Sequence, residues 1–344
     1  MSARHATGMK PALAVWLQHQ WYEGSASNIL LRPLSTLFLQ AVKVRRAAYR
    51  FGFKQPDRLT VPVIVVGNLS VGGTGKTPLV VWLVEFLRKA GYRPGVISRG
   101  YGGSTLQGPV AVESESDPRI VGDEPLLIAR RTGRPVMVFP ERAVAGRSLL
   151  ERTDCDIVIS DDGLQHYALA RDVEIAVIDG ERRFGNGRCL PAGPLREPLE
   201  RLGEVDLVVC QGRPQSGEVG MTLAGDHAVN LLDQTLKKPL ADFAGAKLRA
   251  IAGIGNPERF FAHLRDLDLE FEETAFPDHH PYRREDIGFG DDAPVLMTEK
   301  DAVKCRSIAG ERHWYVPVDA HLPPEFGEKL LNLLKAKCDG QKAA

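Results

Sequence analysis

At 344 residues the chain can bury one large core or two ordinary ones, and two is the expectation. Hydrophobic residues at 43% and charged residues at 26% exclude both a disordered polymer and a protein submerged in lipid. Formal charge is zero, 44 basic against 44 acidic residues, and no nucleic-acid partner is expected.

The balance is uneven along the chain. Residues 1–55 carry Arg4, Lys10, Arg32, Lys43, Arg45, Arg46, Arg50 and Lys54 against the single acid Glu23, which points to an anionic surface as partner. Trp16, Trp21 and Tyr22 lie among aliphatics, and from Ile29 to Phe53 apolar residues recur with basic ones gathered at the far end. That profile predicts amphipathic helices lying in a membrane interface. Arg32, Pro33 and the basic cluster at 43–46 interrupt any run long enough to span a bilayer, and no cleavable signal is evident, so the chain is expected on the cytosolic side. The scattered Cys155, Cys189, Cys210, Cys305 and Cys338 form no C-x-x-C pair and read as reduced thiols.

After Pro56, short β-branched runs at 61–66, 95–98, 135–139, 156–160, 174–179 and 205–210 alternate with helical patterns, notably 77–90 and 124–131. This predicts an α/β, P-loop NTPase-like fold: a mostly parallel sheet with helices on both faces. In the first unit, VPVIVVGNLSVGGTGKTPLVVWL reads as buried strand, glycine-rich turn and amphipathic helix. Gly72, Gly73 and Gly75 let successive N–H groups form a phosphate nest, Lys76 reaches the outer phosphates, and the Thr77 hydroxyl can ligate Mg²⁺. Ser70 stands where the strict P-loop pattern wants glycine.

Arg99, in SRGYGG after the next strand, falls at the same carboxyl edge and is a candidate phosphate contact. Further on, the apolar strand of CDIVISDDGLQHYAL ends in Asp161 and Asp162, candidate metal ligands whose individual roles stay open, followed by Gln165 and His166. Gly212 to Gly220 reads as a linker. A smaller α/β unit follows, with strands near 250–252, 270–274, 295–298 and 314–317 and a helix at 257–267. The expected organisation is therefore 1–55 membrane-associating helices, 56–215 P-loop domain, 216–335 smaller domain and 336–344 tail. Thr298-Glu299-Lys300-Asp301 has its lysine one place late for a guanine loop, so ATP is the expected nucleotide.

Transfer to an alcohol needs a base and positive charge around the moving phosphoryl group. Asp123, Arg142, Arg196, Glu197, His279 and His280 are candidates at loop positions, although Asp123 is equally placed to cap the helix that follows it. A nucleotide-driven switch or metal-insertion chaperone would want short-spaced Cys or His ligands and a guanine loop, and neither is present.

In order along the chain, GNLSVGGTGKTP, SRGYGG, VGDEPLL, SDDGLQH, LPAGPLREP, FPDHHPY and TEKDAVK closely resemble the tetraacyldisaccharide 4'-kinase family of the lipid A pathway. The resemblance implies ATP- and Mg²⁺-dependent phosphorylation of the 4'-hydroxyl of tetraacyldisaccharide 1-phosphate, giving lipid IVA. It implies two α/β/α domains with the active site between them, and a monotopic enzyme on the cytoplasmic face of the inner membrane with no obligate protein partner. By the same resemblance Asp123 is the base, assisted by His279 or His280; Asp161, Asp162, Thr77 and Glu197 serve the metal. Asn68, Gly72, Gly73, Thr74, Gly75, Lys76, Thr77, Arg142, Gln165 and His166 surround the nucleotide, and Ser70 is how the family writes its loop.

Overall fold

A computed structural model describes residues 16–17, 19–24, 26–100 and 106–342. Residues 11–15 and 18 of the first aromatic segment, and Tyr101 to Gly103 of SRGYGG, lie outside them.

Two sheets organise the chain. The larger has nine strands in the spatial order Asp319–His321, Val219–Ala224, Leu207–Gln211, Val173–Asp179, Val63–Gly67, Ile157–Ser160, Pro94–Ser98, Val136–Val138 and Val110–Ala111. Only the two outermost strands run antiparallel to their neighbours. Val63–Gly67, Pro94–Ser98 and Ile157–Ser160 are buried at every position, as strands covered on both faces must be. The first begins after Pro62, two residues later than the apolar run suggests, because proline has no N–H to give the ladder.

Helices cover both faces. The P-loop helix, Lys76–Lys89, buries Leu79, Val80, Leu83, Val84 and Leu87. They share a core with Phe326, Leu330 and Leu334 of the C-terminal helix, Pro324–Lys342. The opposite face is filled from Leu59, Ala143, Leu149, Leu164 and Leu195, with Phe38 and Leu39 of the N-terminal helix, Arg32–Arg50, packed against it. Pro33, which breaks the apolar run in the sequence, occupies the first turn of that helix, where a missing N–H costs nothing.

The smaller sheet has six strands, ordered Lys237–Pro239, His227–Asn230, His313–Val316, Val295–Thr298, Leu248–Ala252 and Phe271–Ala275. Its four parallel strands correspond to the four read from the sequence. The division near residue 215 needs correction: Val219–Ala224 pairs in register with Leu207–Gln211 in the larger sheet, and Asp319–His321 pairs with Val219–Ala224. Residues 336–342, expected as a tail, continue the C-terminal helix. These returning elements are short or at an edge, and a three-residue Asp-Ala-His strand carries no alternation to read.

Candidate active site

Strands Val63–Gly67 and Ile157–Ser160 are parallel neighbours, so the loops that follow them open at one sheet edge. From the first strand the chain turns through Gly72 at φ +110° and Gly75 at φ +87°, conformations that favour glycine, and Gly75 caps the P-loop helix. Its N-terminus and the curled backbone aim N–H groups at one point, the arrangement that holds phosphate.

Asp162, in the left-handed region at φ 47°, faces cations. Its Oδ1 is 3.5 Å from Lys76 Nζ, and Arg196 Nη1 donates to both its oxygens at 3.1 and 2.9 Å. Burial alone would raise this carboxyl, but Lys76 and Arg196 outweigh it and hold it at about 2. Asp161 is the reverse case. It is 2% exposed, Ser98 Oγ donates to its Oδ2 at 3.3 Å, and its Oδ1 has no hydrogen-bond partner among the described residues. Burial, reinforced by Glu124 and Asp162, pushes it up to about 7.

Arg142 is buried behind this pair, its Nη2 donating to the Asp161 carbonyl at 3.0 Å; burial brings its guanidinium down to about 10. His166 is half-buried, and burial together with Arg142, Arg171, Arg45 and Arg99 pushes it down to about 4, leaving a neutral imidazole.

The P-loop is braced from beneath. Asn68 Nδ2 donates to the Gly72 carbonyl at 3.3 Å. Gln165 Nε2 donates at 3.1 Å both to the Asn68 carbonyl and to Glu197 Oε2, while the Tyr167 hydroxyl donates to Glu197 Oε1. Glu197, 1% exposed, thus spends both oxygens on its neighbours, with Arg201 Nε 3.9 Å away. Thr74 Oγ1 and Asn68 Oδ1, like Asp161 Oδ1, are buried without hydrogen-bond partners among the described residues. Unspent hard oxygens beside a phosphate nest suit Mg²⁺, which takes one or two carboxylates and completes its shell with water and phosphate. Among the described residues no group of three or more His, Cys, Asp or Glu side chains forms an all-protein cage.

Across the opening, Asp123 is the first residue of the helix Asp123–Thr132; Gly122 is the N-cap and no side-chain cap is made, which removes the capping reading. Its carboxylate is instead engaged from the smaller sheet's side: His279 Nδ1 lies 3.1 Å from Oδ2, and Lys304 Nζ 3.9 Å from the same oxygen. Burial opposes ionisation of Asp123, but His279, Lys304 and Lys300 together hold it below the ordinary carboxylate range. Oδ1 accepts no hydrogen bond from the described residues.

The two histidines separate. His279, at φ 59°, points to Asp123, whereas His280 is bonded to Asp286 Oδ2 at 3.1 Å and stacked on Phe276. Sequence reasoning missed what closes the cleft. A Cβ on Gly255 would sit 3.3 Å from the Gly73 nitrogen, so the loop after Leu248–Ala252 rests directly on the P-loop. Lys300 Nζ reaches Glu124 Oε1 at 3.1 Å and Asp278 Oδ1 at 3.4 Å, and Arg259 donates to Asp179 Oδ2 at 2.7 Å and to Gln211. The repeat of lysine at i and i+4 in TEKDAVK was the available signal for Lys300 and Lys304; Arg259 gave none.

The family described as tetraacyldisaccharide-1-P 4'-kinase matches residues 27–335. A tetraacyldisaccharide 4'-kinase of Nitrosococcus oceani is 56% identical over 92% of this chain and 93% of its own length. That of Hahella chejuensis is 50% identical over 95% and 100%. Among solved structures, LpxK from Aquifex aeolicus in complex with ATP superposes with a TM-score of 0.76 at 28% identity, covering 89% of this chain and 99% of that one.

Proposed function

This chain belongs to the tetraacyldisaccharide-1-P 4'-kinase family, and on that premise we propose how its residues divide the work. It is an ATP-dependent kinase that phosphorylates the 4'-hydroxyl of tetraacyldisaccharide 1-phosphate to form lipid IVA in lipid A biosynthesis. Lys76 and the backbone of Gly72 to Thr77 grip the β- and γ-phosphates. Asp123 is the base: an alcohol does not ionise at neutral pH, so Oδ1 takes the hydroxyl proton as its oxygen bonds to the γ-phosphorus and the bond to the β-phosphate oxygen breaks. His279 fixes Asp123 through Oδ2, and Arg142 and Arg196 supply positive charge around the carboxylate pair.

Mg²⁺ would be held by Asp161, Asp162 and Thr77, and it would neutralise charge on the phosphates. Glu197 acts one layer back, through Gln165 and Asn68, by keeping the P-loop in shape. His280 anchors the loop that presents His279. The N-terminal helix seats the enzyme on the anionic cytoplasmic face of the inner membrane, where its lipid substrate resides.

The observation that carries the base assignment is His279 Nδ1 on Asp123 Oδ2 at 3.1 Å, with no hydrogen bond to the other carboxylate oxygen from the described residues. In Asp123→Ala, transfer should fall by at least about 10³-fold with ATP affinity within about threefold of wild type. Near wild-type turnover in labelled-phosphate transfer would show that another group takes the proton.

A further inference from the structure

Lys304 and Lys300 point from one face of the helix Glu299–Cys305, four residues apart. The Lys304 side chain is only 9% exposed. Its ammonium lies 2.9 Å from Asp301 Oδ1, 3.9 Å from Asp123 Oδ2 and 5.0 Å over the Tyr282 ring. An ammonium buried this deeply persists only where carboxylates and an aromatic face compensate it. Asp301 is itself fully buried, and its second oxygen accepts from the Gly253 nitrogen at 2.9 Å and from Thr298 Oγ1 at 2.7 Å. Gly253 opens the same loop that sets Gly255 against Gly73. One ion pair therefore reaches both the P-loop and the base.

We propose that Lys304 is a positioning residue for phosphoryl transfer: clamped by Asp301 and Tyr282, its ammonium draws Asp123 Oδ2 inward and leaves Oδ1 facing the acceptor hydroxyl. The inference rests on Asp123 as the base and adds what sets that base in place. The charged groups facing Asp123 are His279 from the loop after Phe271–Ala275, Lys304 and Lys300 from Glu299–Cys305, and Glu124 beside it in its own helix. The cations favour the carboxylate, and Lys304 is the one shut away from water.

The experiment compares the pH dependence of kcat and the KM for ATP in wild type, Lys304→Met, Lys304→Arg and the charge-neutral pair Lys304→Met with Asp301→Asn, which leaves no lone buried charge. Without the ammonium, Asp123 protonates more readily. The acid limb of the kcat profile should therefore move up by about one pH unit in both Met-containing variants, with a tenfold or greater loss of kcat below the limb and KM for ATP within about twofold. Lys304→Arg should return the limb to its wild-type position. A kcat lowered equally at every pH, or not lowered at all, in both Met-containing variants overturns the inference. Asp123→Asn, run alongside, separates the two readings. If it turns over normally, the base assignment fails and takes this inference with it. If it is inactive while the Lys304→Met limb stays put, only the inference fails.

Discussion

Two adjacent carboxylates in one turn titrate on opposite sides of their ordinary value, and the cause is direction rather than identity. Asp162 turns toward Lys76 and Arg196, while the Asp161 carboxylate turns into the sheet, where Ser98 is its one donor among the described residues. An oxygen kept short of partners is what a metal can claim, and the protein bears its cost when the metal is absent. The sign follows from linkage. Asp161 titrates at about 7 when folded but near 3.8 as a free aspartate carboxyl, so folding is penalised progressively as pH rises from about 4 to about 7, and fully above that. Metal-free Asp161→Asn should match wild type in unfolding free energy near pH 4 and exceed it at pH 8, as read by urea titration at both values. Equal stability at pH 8 would mean that the carboxylate is not strained. SDDG was readable as a metal turn, yet its two aspartates were not distinguishable, because Lys76 lies 86 positions before Asp162 and Arg196 lies 34 after it. His279 and His280 were ambiguous for the same reason: only their partners, Asp123 and Asp286, tell them apart.

The helix Arg32–Arg50 presents two stripes at the scale of an element. Ser35, Phe38, Leu39, Val42, Arg46 and Tyr49 face the body; Ser35 Oγ donates to the Cys189 carbonyl at 2.7 Å, and Arg46 pairs with Glu204. Leu34, Leu37 and Val44 face outward at 55, 68 and 68% exposure, continuing the exposed Ile29 and Leu30. A helix packed on one side that still shows leucines on the other has a second apolar phase to satisfy, and Lys43, Arg45 and Arg50 flank it with charge suited to anionic headgroups. No helix among the described residues is long and apolar enough to cross a membrane. The proposed seat is therefore interfacial. Leu37→Glu with Val44→Glu should cut binding to vesicles containing anionic phospholipid by about tenfold or more, while unfolding temperature stays within about 2 °C because neither side chain packs on the body. Sedimentation unchanged from wild type would place the membrane contact elsewhere. This helix was legible from its periodicity and its charge gradient. Its inner stripe was not, since the partner surface comes from residues around Cys189 and Glu204, far along the chain.

The whole molecule is built by leaving the first sheet and coming back to it. Val219–Ala224 departs at the sheet's edge, the six-stranded unit is made, and Asp319–His321 returns antiparallel to the departing strand, pairing Asp319 with Ala224 and His321 with Thr222. The two connections thus run side by side, so the smaller unit, with its His279, Lys300 and Lys304, is carried on a paired ribbon beside the P-loop. After the return the C-terminal helix closes the face on which the P-loop helix lies. Phe326 is 1% exposed and packs on Trp82 at a ring separation of 5.4 Å, and Trp82 stacks on Phe86 at 4.8 Å. The next residue must be small, because a Cβ on Gly327 would fall 2.4 Å from the Phe86 ring. The last helix is thus part of the nucleotide-binding core, although it is remote from it in sequence. Phe326→Ala should lower the unfolding free energy by about 3–5 kcal/mol and the melting temperature by roughly 10 °C. Mg·ATP should recover part of that loss, since the ligand binds only the folded unit. Glu325→Ala, at the exposed neighbour, should leave both near wild type. If calorimetry finds Phe326→Ala as stable as Glu325→Ala, the terminal helix is an appendage, and the P-loop helix must owe its position to the sheet alone.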